Sequence, residues 1–281
     1  MSTLHTYLQR IGEYVPDEAL KNNIFSGTPL DFVISGEGGL PKAFSILVYG
    51  REGTGKTTVL LDYLSNIRVM NPDSQILYIS AEMSKRQMIP LANRFPKFKG
   101  TQAMFIDKQE GTPGLTRGRL ETVLRLGWDV VVYDSIAAIA NKIRKEDKIS
   151  LAKAEDWIST QISRVCHESD NERHIPTTVL AIQQVTKKGE PRGANTLMHD
   201  FDAVMELRVV DKNDPFSERC ISCPKNRYSA TLRLYYDLSA GNDVNYDGER
   251  LLMEIEQGRA NVRHIDSKKD MYDKLKELFI K

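Results

Sequence analysis

Eight consecutive residues carry the densest chemistry in this chain: Gly50-Arg51-Glu52-Gly53-Thr54-Gly55-Lys56-Thr57. They satisfy the pattern GxxxxGK(S/T). Glycines let the backbone curl so that successive N–H groups converge on phosphate oxygens. A helix N-terminus that follows adds a positive dipole end. In such a loop Lys56 reaches the outer phosphates and the Thr57 hydroxyl holds Mg²⁺; Thr58 continues the contact into the helix. The loop follows the apolar run 44–49 and precedes a helical run from Thr58 onward, which is the context this chemistry needs. The expected ligands are ATP and Mg²⁺.

Phosphate chemistry also needs a carboxylate for the metal and a group that activates or orients water. Val130-Val131-Val132-Tyr133-Asp134 is an apolar strand ending in an acid, the Walker B pattern. In a parallel sheet all strand C-termini lie on one edge, so Asp134 is expected beside Lys56 and Thr57. Ile76-Leu77-Tyr78-Ile79-Ser80-Ala81-Glu82 ends in a second acid, and Glu82 is the expected general base. Gln183-Gln184 closes a further strand on the same edge, where the Gln184 amide can bond a γ-phosphate and report its loss.

These groups require an alternating α/β frame. Apolar runs at 44–49, 76–80, 103–107, 130–134 and 177–183 predict buried strands. Helical spacing lies between them, near 56–70, 84–95, 115–126 and 151–168. The alternation predicts a doubly wound, mostly parallel sheet. Residues 203–210, 219–224, 230–238 and 250–257 alternate or run apolar, with Gly, Asn and Asp between them, and predict antiparallel strands that extend the sheet. An amphipathic arm over 4–22, interrupted at Pro16, and a terminal helix over 268–280 flank the core. The expected division is 1–24, 25–266 and 267–281.

The 281 residues are 41% hydrophobic and 27% charged, which is ordinary for a globular chain, and the net charge is +1. Nucleic-acid binding would therefore depend on local basic segments and not on overall charge. Two such segments follow the predicted strands. One is 141–148, with Lys142, Arg144 and Lys145; the other is 186–193, with Lys187, Lys188 and Arg192. No apolar run is long enough to span a bilayer, and the first residues lack an apolar signal core, so no membrane partner and a cytoplasmic site are expected. Cys220 and Cys223 have metal-ligand spacing, but a tetrahedral site needs two more ligands, so they read as reduced thiols in a hairpin.

The segments Phe25-Ser26-Gly27-Thr28-Pro29-Leu30-Asp31 and Gly36-Glu37-Gly38-Gly39-Leu40-Pro41 resemble the lead-in of RecA-type ATPases. Ala81-Glu82-Met83-Ser84 is similar to the stretch that carries the catalytic glutamate in RadA (Sms) and in DnaB-type helicases. Gln184 to Glu190, followed by Leu197, His199 and Asp202-Ala203-Val204, resembles RadA. Lys225-Asn226-Arg227-Tyr228 is similar to the RadA motif Lys-Asn-Arg-Phe-Gly, with Tyr228 for Phe and Ser229 for Gly. The resemblance covers roughly residues 25–240 and implies a RecA-like fold. It implies that Gln184 senses the γ-phosphate and that Lys225 and Arg227 reach the ATP of an adjacent subunit in a homo-oligomeric ring or filament. It further implies that both basic segments are loops holding single-stranded or branched DNA, in recombination or repair. The alternatives are a DnaB-like replicative helicase and a KaiC-like regulatory ATPase that binds no DNA.

Overall fold

The computed structural model describes residues 22–106, 112–185, 199–211, 213–214, 217–227, 231–239, 243–257, 273 and 276–277. In chain order the elements are α1 (Leu30–Ile34), β1 (Ser45–Tyr49), α2 (Lys56–Met70), β2 (Ile76–Ser80), α3 (Lys85–Arg94), β3 (Gln102–Phe105), α4 (Leu115–Arg125), β4 (Val130–Asp134), α5 (Ile136–Asp147), α6 (Leu151–Ser163), β5 (Thr178–Gln183), β6 (Ala203–Val209), β7 (Arg219–Asn226), β8 (Arg233–Asp237), β9 (Asn245–Tyr246) and α7 (Gly248–Glu256). A π-helical turn, Arg164–Glu168, continues α6.

The described strands form one sheet in the order β3-β2-β4-β5-β1-β6-β7-β8-β9. Pairing is parallel from β3 through β6 and antiparallel from β6 through β9. This is the doubly wound α/β sheet with an antiparallel extension that the alternation predicts. Both faces are covered. Tyr63 and Leu64 of α2 join one core with Val48, Val132 and Met205. Ile139 of α5 and Ile158 of α6 join the other with Leu47, Val131 and Ala181. Burial on both faces is why the central strands read as continuous apolar runs. The parallel register delivers the residues after β1, β2, β4 and β5 to one edge.

Three expectations require correction. Residues 203–209 are antiparallel on one side only: β6 pairs antiparallel with β7 but parallel with β1, with Ile46 opposite Ala203, because the chain leaves β5 and re-enters the sheet beyond β1. Residues 250–257 are not a strand. Leu251, Leu252 and Ile255 fall on one helical face and are buried, and the Asp247 carboxylate caps α7 by accepting the Arg250 N–H at 2.9 Å. The segment holding Lys142, Arg144 and Lys145 is not a loop but the second half of α5. Ser135 caps that helix by accepting the Ala138 N–H, and Ile136, Ile139, Ala140 and Ile143 bury one face. The predicted arm through residue 21, the second basic segment 186–193 and almost all of the terminal helix lie outside the described residues.

The lead-in to β1 is fixed by Asp31, whose side chain is buried. Its carboxylate accepts the Ser26 and Gly27 N–H groups at 3.0 and 2.9 Å, and the hydroxyls of Ser26 and Tyr63, each at 2.8 Å. Tyr63 lies on α2, so this carboxylate ties the lead-in to the helix that carries the phosphate loop. Burial pushes the Asp31 pKa up to about 6, against the opposing pull of its hydrogen bonds. The folded state then binds more protons than the unfolded chain between pH 4 and 6. This group's contribution to stability is present below about pH 4 and is lost as pH rises through 6. Asp31→Asn, which cannot titrate, is expected to remove a slope worth about 2 kcal/mol between pH 4 and 6. Urea unfolding of both proteins at pH 4, 5 and 6 measures it; parallel pH profiles would contradict this account.

Candidate functional site

The phosphate loop joins β1 to α2. Gly55 precedes the helix with φ 86°, a conformation open to glycine, and a Cβ there would lie 2.4 Å from Leu238 Cδ1. A Cβ on Gly50 would lie 2.1 Å from the Leu207 carbonyl oxygen, so the strand-to-loop corner also requires glycine. Arg51, Glu52 and Gly53 are exposed at the loop tip, and Thr54 is buried beneath it. The Thr54 hydroxyl donates to the Arg51 carbonyl at 2.9 Å, and its own carbonyl accepts the Tyr236 hydroxyl at 2.5 Å. The loop is therefore braced from inside and from β8. Lys56 Nζ donates to the carbonyls of Gly50 and Arg51 at 2.7 and 3.0 Å, which folds the ammonium across the loop mouth. Burial pulls the Lys56 pKa down, while Glu82, Asp134 and Glu52 pull it up. Thr57 and Thr58 follow in the first turn of α2.

Asp134 is 1% exposed and reaches this first turn. One carboxylate oxygen, Oδ2, accepts the Thr57 hydroxyl at 2.7 Å and the Tyr78 hydroxyl at 2.6 Å. The other, Oδ1, is buried and has no hydrogen-bond partner among the described residues. Burial raises the Asp134 pKa, and the bonds from Tyr78 and Thr57 lower it. An orphaned carboxylate oxygen beside a threonine hydroxyl and the phosphate loop suits a small hard cation with oxygen ligands, so these residues fit Mg²⁺.

Glu82 sits in the tight turn between β2 and α3. Its N–H and that of Ala81 both donate to the Asp134 carbonyl, at 3.3 and 2.8 Å, so the turns after β2 and β4 are joined. Ser80 Oγ accepts the Met83 N–H at 3.1 Å, and a Ser84–Gln87 capping box opens α3. The Glu82 side chain is exposed, and its charge acts on both Lys56 and Asp134. Gln184 directly follows β5 and is half-buried. Lys56, Thr57, Glu82, Asp134 and Gln184 thus share the edge that the sequence predicts.

Lys225 and Arg227 do not. Lys225 Nζ donates to the carbonyls of Phe201 and His199 at 2.6 and 3.2 Å, and Arg227 pairs with Asp202 at 2.9 Å. Asp202 also accepts the N–H and hydroxyl of Ser45, the first residue of β1. Both cations therefore lie at the opposite edge of the sheet, a strand length of about 16 Å from the loop that follows Tyr49.

Within α5, Lys142 pairs with Glu146 at 3.3 Å and is only 12% exposed, whereas Arg144 and Lys145 are exposed. Glu146 and Asp147 accept the Thr116 and Gly114 N–H groups and so fasten α5 to the start of α4. Lys187, Lys188 and Arg192 lie outside the described residues. Cys220 and Cys223 are free and buried in β7, and no metal-binding cluster of His, Cys, Asp and Glu occurs among the described residues.

Sequence reasoning missed Tyr78 and Tyr236. Tyr78 is a phenol in an otherwise apolar run and Tyr236 one in an alternating strand, and a buried phenol needs a partner. That requirement was the available signal, but it does not name the partner.

A family described as "ATPase: KaiC" matches residues 24–100. The protein RecA of Solidesulfovibrio magneticus is 24% identical over 245 residues, covering 79% of this chain and 65% of that protein. The DNA repair protein RadA of Campylobacter jejuni is 28% identical over 208 residues, covering 72% of this chain and 41% of that protein. The matches span less than two thirds of either relative. Among solved structures, the KaiC-like protein PH0186 of Pyrococcus horikoshii superposes with TM-score 0.59 at 18% identity, covering 80% of this chain and 98% of that one. The flagellar accessory protein FlaH of Methanocaldococcus jannaschii superposes with TM-score 0.58 at 12% identity, covering 79% and 96%.

The chain has the fold of RecA-type P-loop ATPases and carries their phosphate-loop pattern at residues 50–57. Within that class the sequence similarity runs to RecA and RadA, and the fold is shared with KaiC-like proteins and FlaH.

Proposed function

We propose that residues 25–266 form the core of an ATP hydrolase that works in a homo-oligomeric ring or filament and couples hydrolysis to single-stranded or branched DNA. The observation that carries the hydrolytic part is the convergence of Thr57 and Asp134 at 2.7 Å, with the Glu82 turn bonded to the Asp134 carbonyl. Loop N–H groups cradle the phosphates, and Lys56 leaves the Gly50 and Arg51 carbonyls to meet the outer ones. Thr57 and Asp134 would hold Mg²⁺, which when bound would neutralise phosphate charge. Glu82 takes a proton from the attacking water, and Gln184 bonds the γ-phosphate. Lys225 and Arg227 serve the nucleotide of the next subunit.

Two sources support the DNA partner. Relatives named RecA and DNA repair protein RadA match most of this chain. Arg144 and Lys145 are exposed, and Lys187, Lys188 and Arg192 form a second basic segment of the sequence. Such side chains neutralise phosphates without reading bases. A second reading, a KaiC-like regulatory ATPase without DNA, is favoured by the family match at 24–100 and by the Lys142–Glu146 ion pair, which withdraws one cation from the first basic segment.

ATPase rate with and without single-stranded DNA separates the two. The DNA-coupled reading expects stimulation that weakens as salt rises, because phosphate contacts release counterions. A rate indifferent to DNA at low salt supports the regulatory reading.

A further inference from the structure

The geometry points to Tyr78 as a positioning residue for the cation site: its hydroxyl clamps one oxygen of Asp134 so that the other is presented to Mg²⁺. This rests on the Mg²⁺–nucleotide reading of the site. Tyr78 is fully buried in the core beneath α2, at the centre of β2. Its hydroxyl donates to Asp134 Oδ2 at 2.6 Å. Thr57 donates to the same oxygen at 2.7 Å, which leaves Oδ1 buried without a partner among the described residues.

The asymmetry is the informative feature. A carboxylate held only by Thr57 would depend for its orientation on a hydroxyl that must also turn a lone pair to the cation. Tyr78 has no such second duty. It approaches from the sheet, from a strand that pairs with β4 in register, so its position is set by backbone pairing and not by the nucleotide. Partners that orient a metal ligand typically change metal affinity or activity about 10–100-fold when removed.

Tyr78→Phe removes one oxygen and keeps the ring. Binding of a fluorescent ADP analogue, followed by anisotropy while Mg²⁺ is titrated, reads the effect without turnover. The Mg²⁺ concentration for half-maximal tightening is expected to rise about 10-fold. Affinity in EDTA is expected to stay within about twofold of the parent, since the loop is untouched. In an Asp134→Asn background, adding Tyr78→Phe is expected to change nothing further, because the clamped oxygen no longer orders a carboxylate. Should Tyr78→Phe fail to fold, Tyr78→Met, which also lacks the hydroxyl, is titrated in the same way.

An unchanged Mg²⁺ midpoint in a folded hydroxyl-free variant overturns the inference. So does an equal loss in the Asp134→Asn background, which would mark a general packing effect. If the parent protein binds the nucleotide with no dependence on Mg²⁺, the metal reading of the site falls and the role of Tyr78 falls with it.

Discussion

Glu82→Gln is expected to bind ATP and keep it, with turnover lowered by about 10²–10⁴-fold. The substitution preserves shape and removes the ability to take a proton. The turn that carries residue 82 is held through backbone bonds to the Asp134 carbonyl and by the Ser84 cap, none of which involves the Glu82 side chain. Its geometry therefore survives the change. Lys56→Ala should behave differently. It removes a cation from the loop mouth, so binding and turnover fall together. Nucleotide affinity by anisotropy and single-turnover hydrolysis separate the two signatures. Hydrolysis by Glu82→Gln at the parent rate would move the base to another carboxylate.

The edge that gathers these groups was legible in the sequence for a physical reason. Strands buried on both faces, such as 46–48 and 130–133, must be continuously apolar, and a polar residue at their ends must emerge where the parallel register ends. Other features were hidden. The direction of β6 is not a property of its own residues; it follows from a crossover whose path periodicity does not encode. Helix α5 was masked because the charges at 142–148 read as a solvated loop, although Ile136, Ile139, Ala140 and Ile143 carry helical spacing. In α7, Leu251 and Leu252 precede Ile255 in a segment short enough to pass for a strand. Tyr78 reads as packing in an apolar run; only the pairing of β2 with β4 brings its hydroxyl to Asp134.

The placement of Lys225 and Arg227 was equally hidden, and it sharpens the most demanding expectation. Both cations are fixed at the start of β1 and β6, on the edge away from the subunit's own phosphate loop. A fully extended arginine does not bridge the length of a strand, so Arg227 cannot serve its own nucleotide in this fold. Its side chain is 61% exposed despite the pair with Asp202, and an exposed ion pair of this kind is worth only about 1 kcal/mol or less. Exchange of that partner for a neighbour's phosphate is therefore inexpensive. Arg227→Ala is expected to bind ATP like the parent and to lose hydrolysis by about 10³-fold or more, as when an inserted arginine is removed from a phosphoryl-transfer site.

Mixing that variant with Lys56→Ala supplies the decisive result. In a head-to-tail assembly each active site takes its loop from one subunit and its cation from the next. Random mixing in equal amounts leaves about a quarter of the interfaces with both groups intact. Activity should reappear at roughly that fraction of the parent rate and should peak at equal mixing. Two defects within a single-chain active site have no such maximum. Sizing by light scattering must accompany the assay, because a variant that fails to assemble cannot complement. Co-assembly without recovered activity at any ratio would remove the in-trans role from Arg227. A monomer that hydrolyses ATP at the full rate would remove the assembly itself from the mechanism.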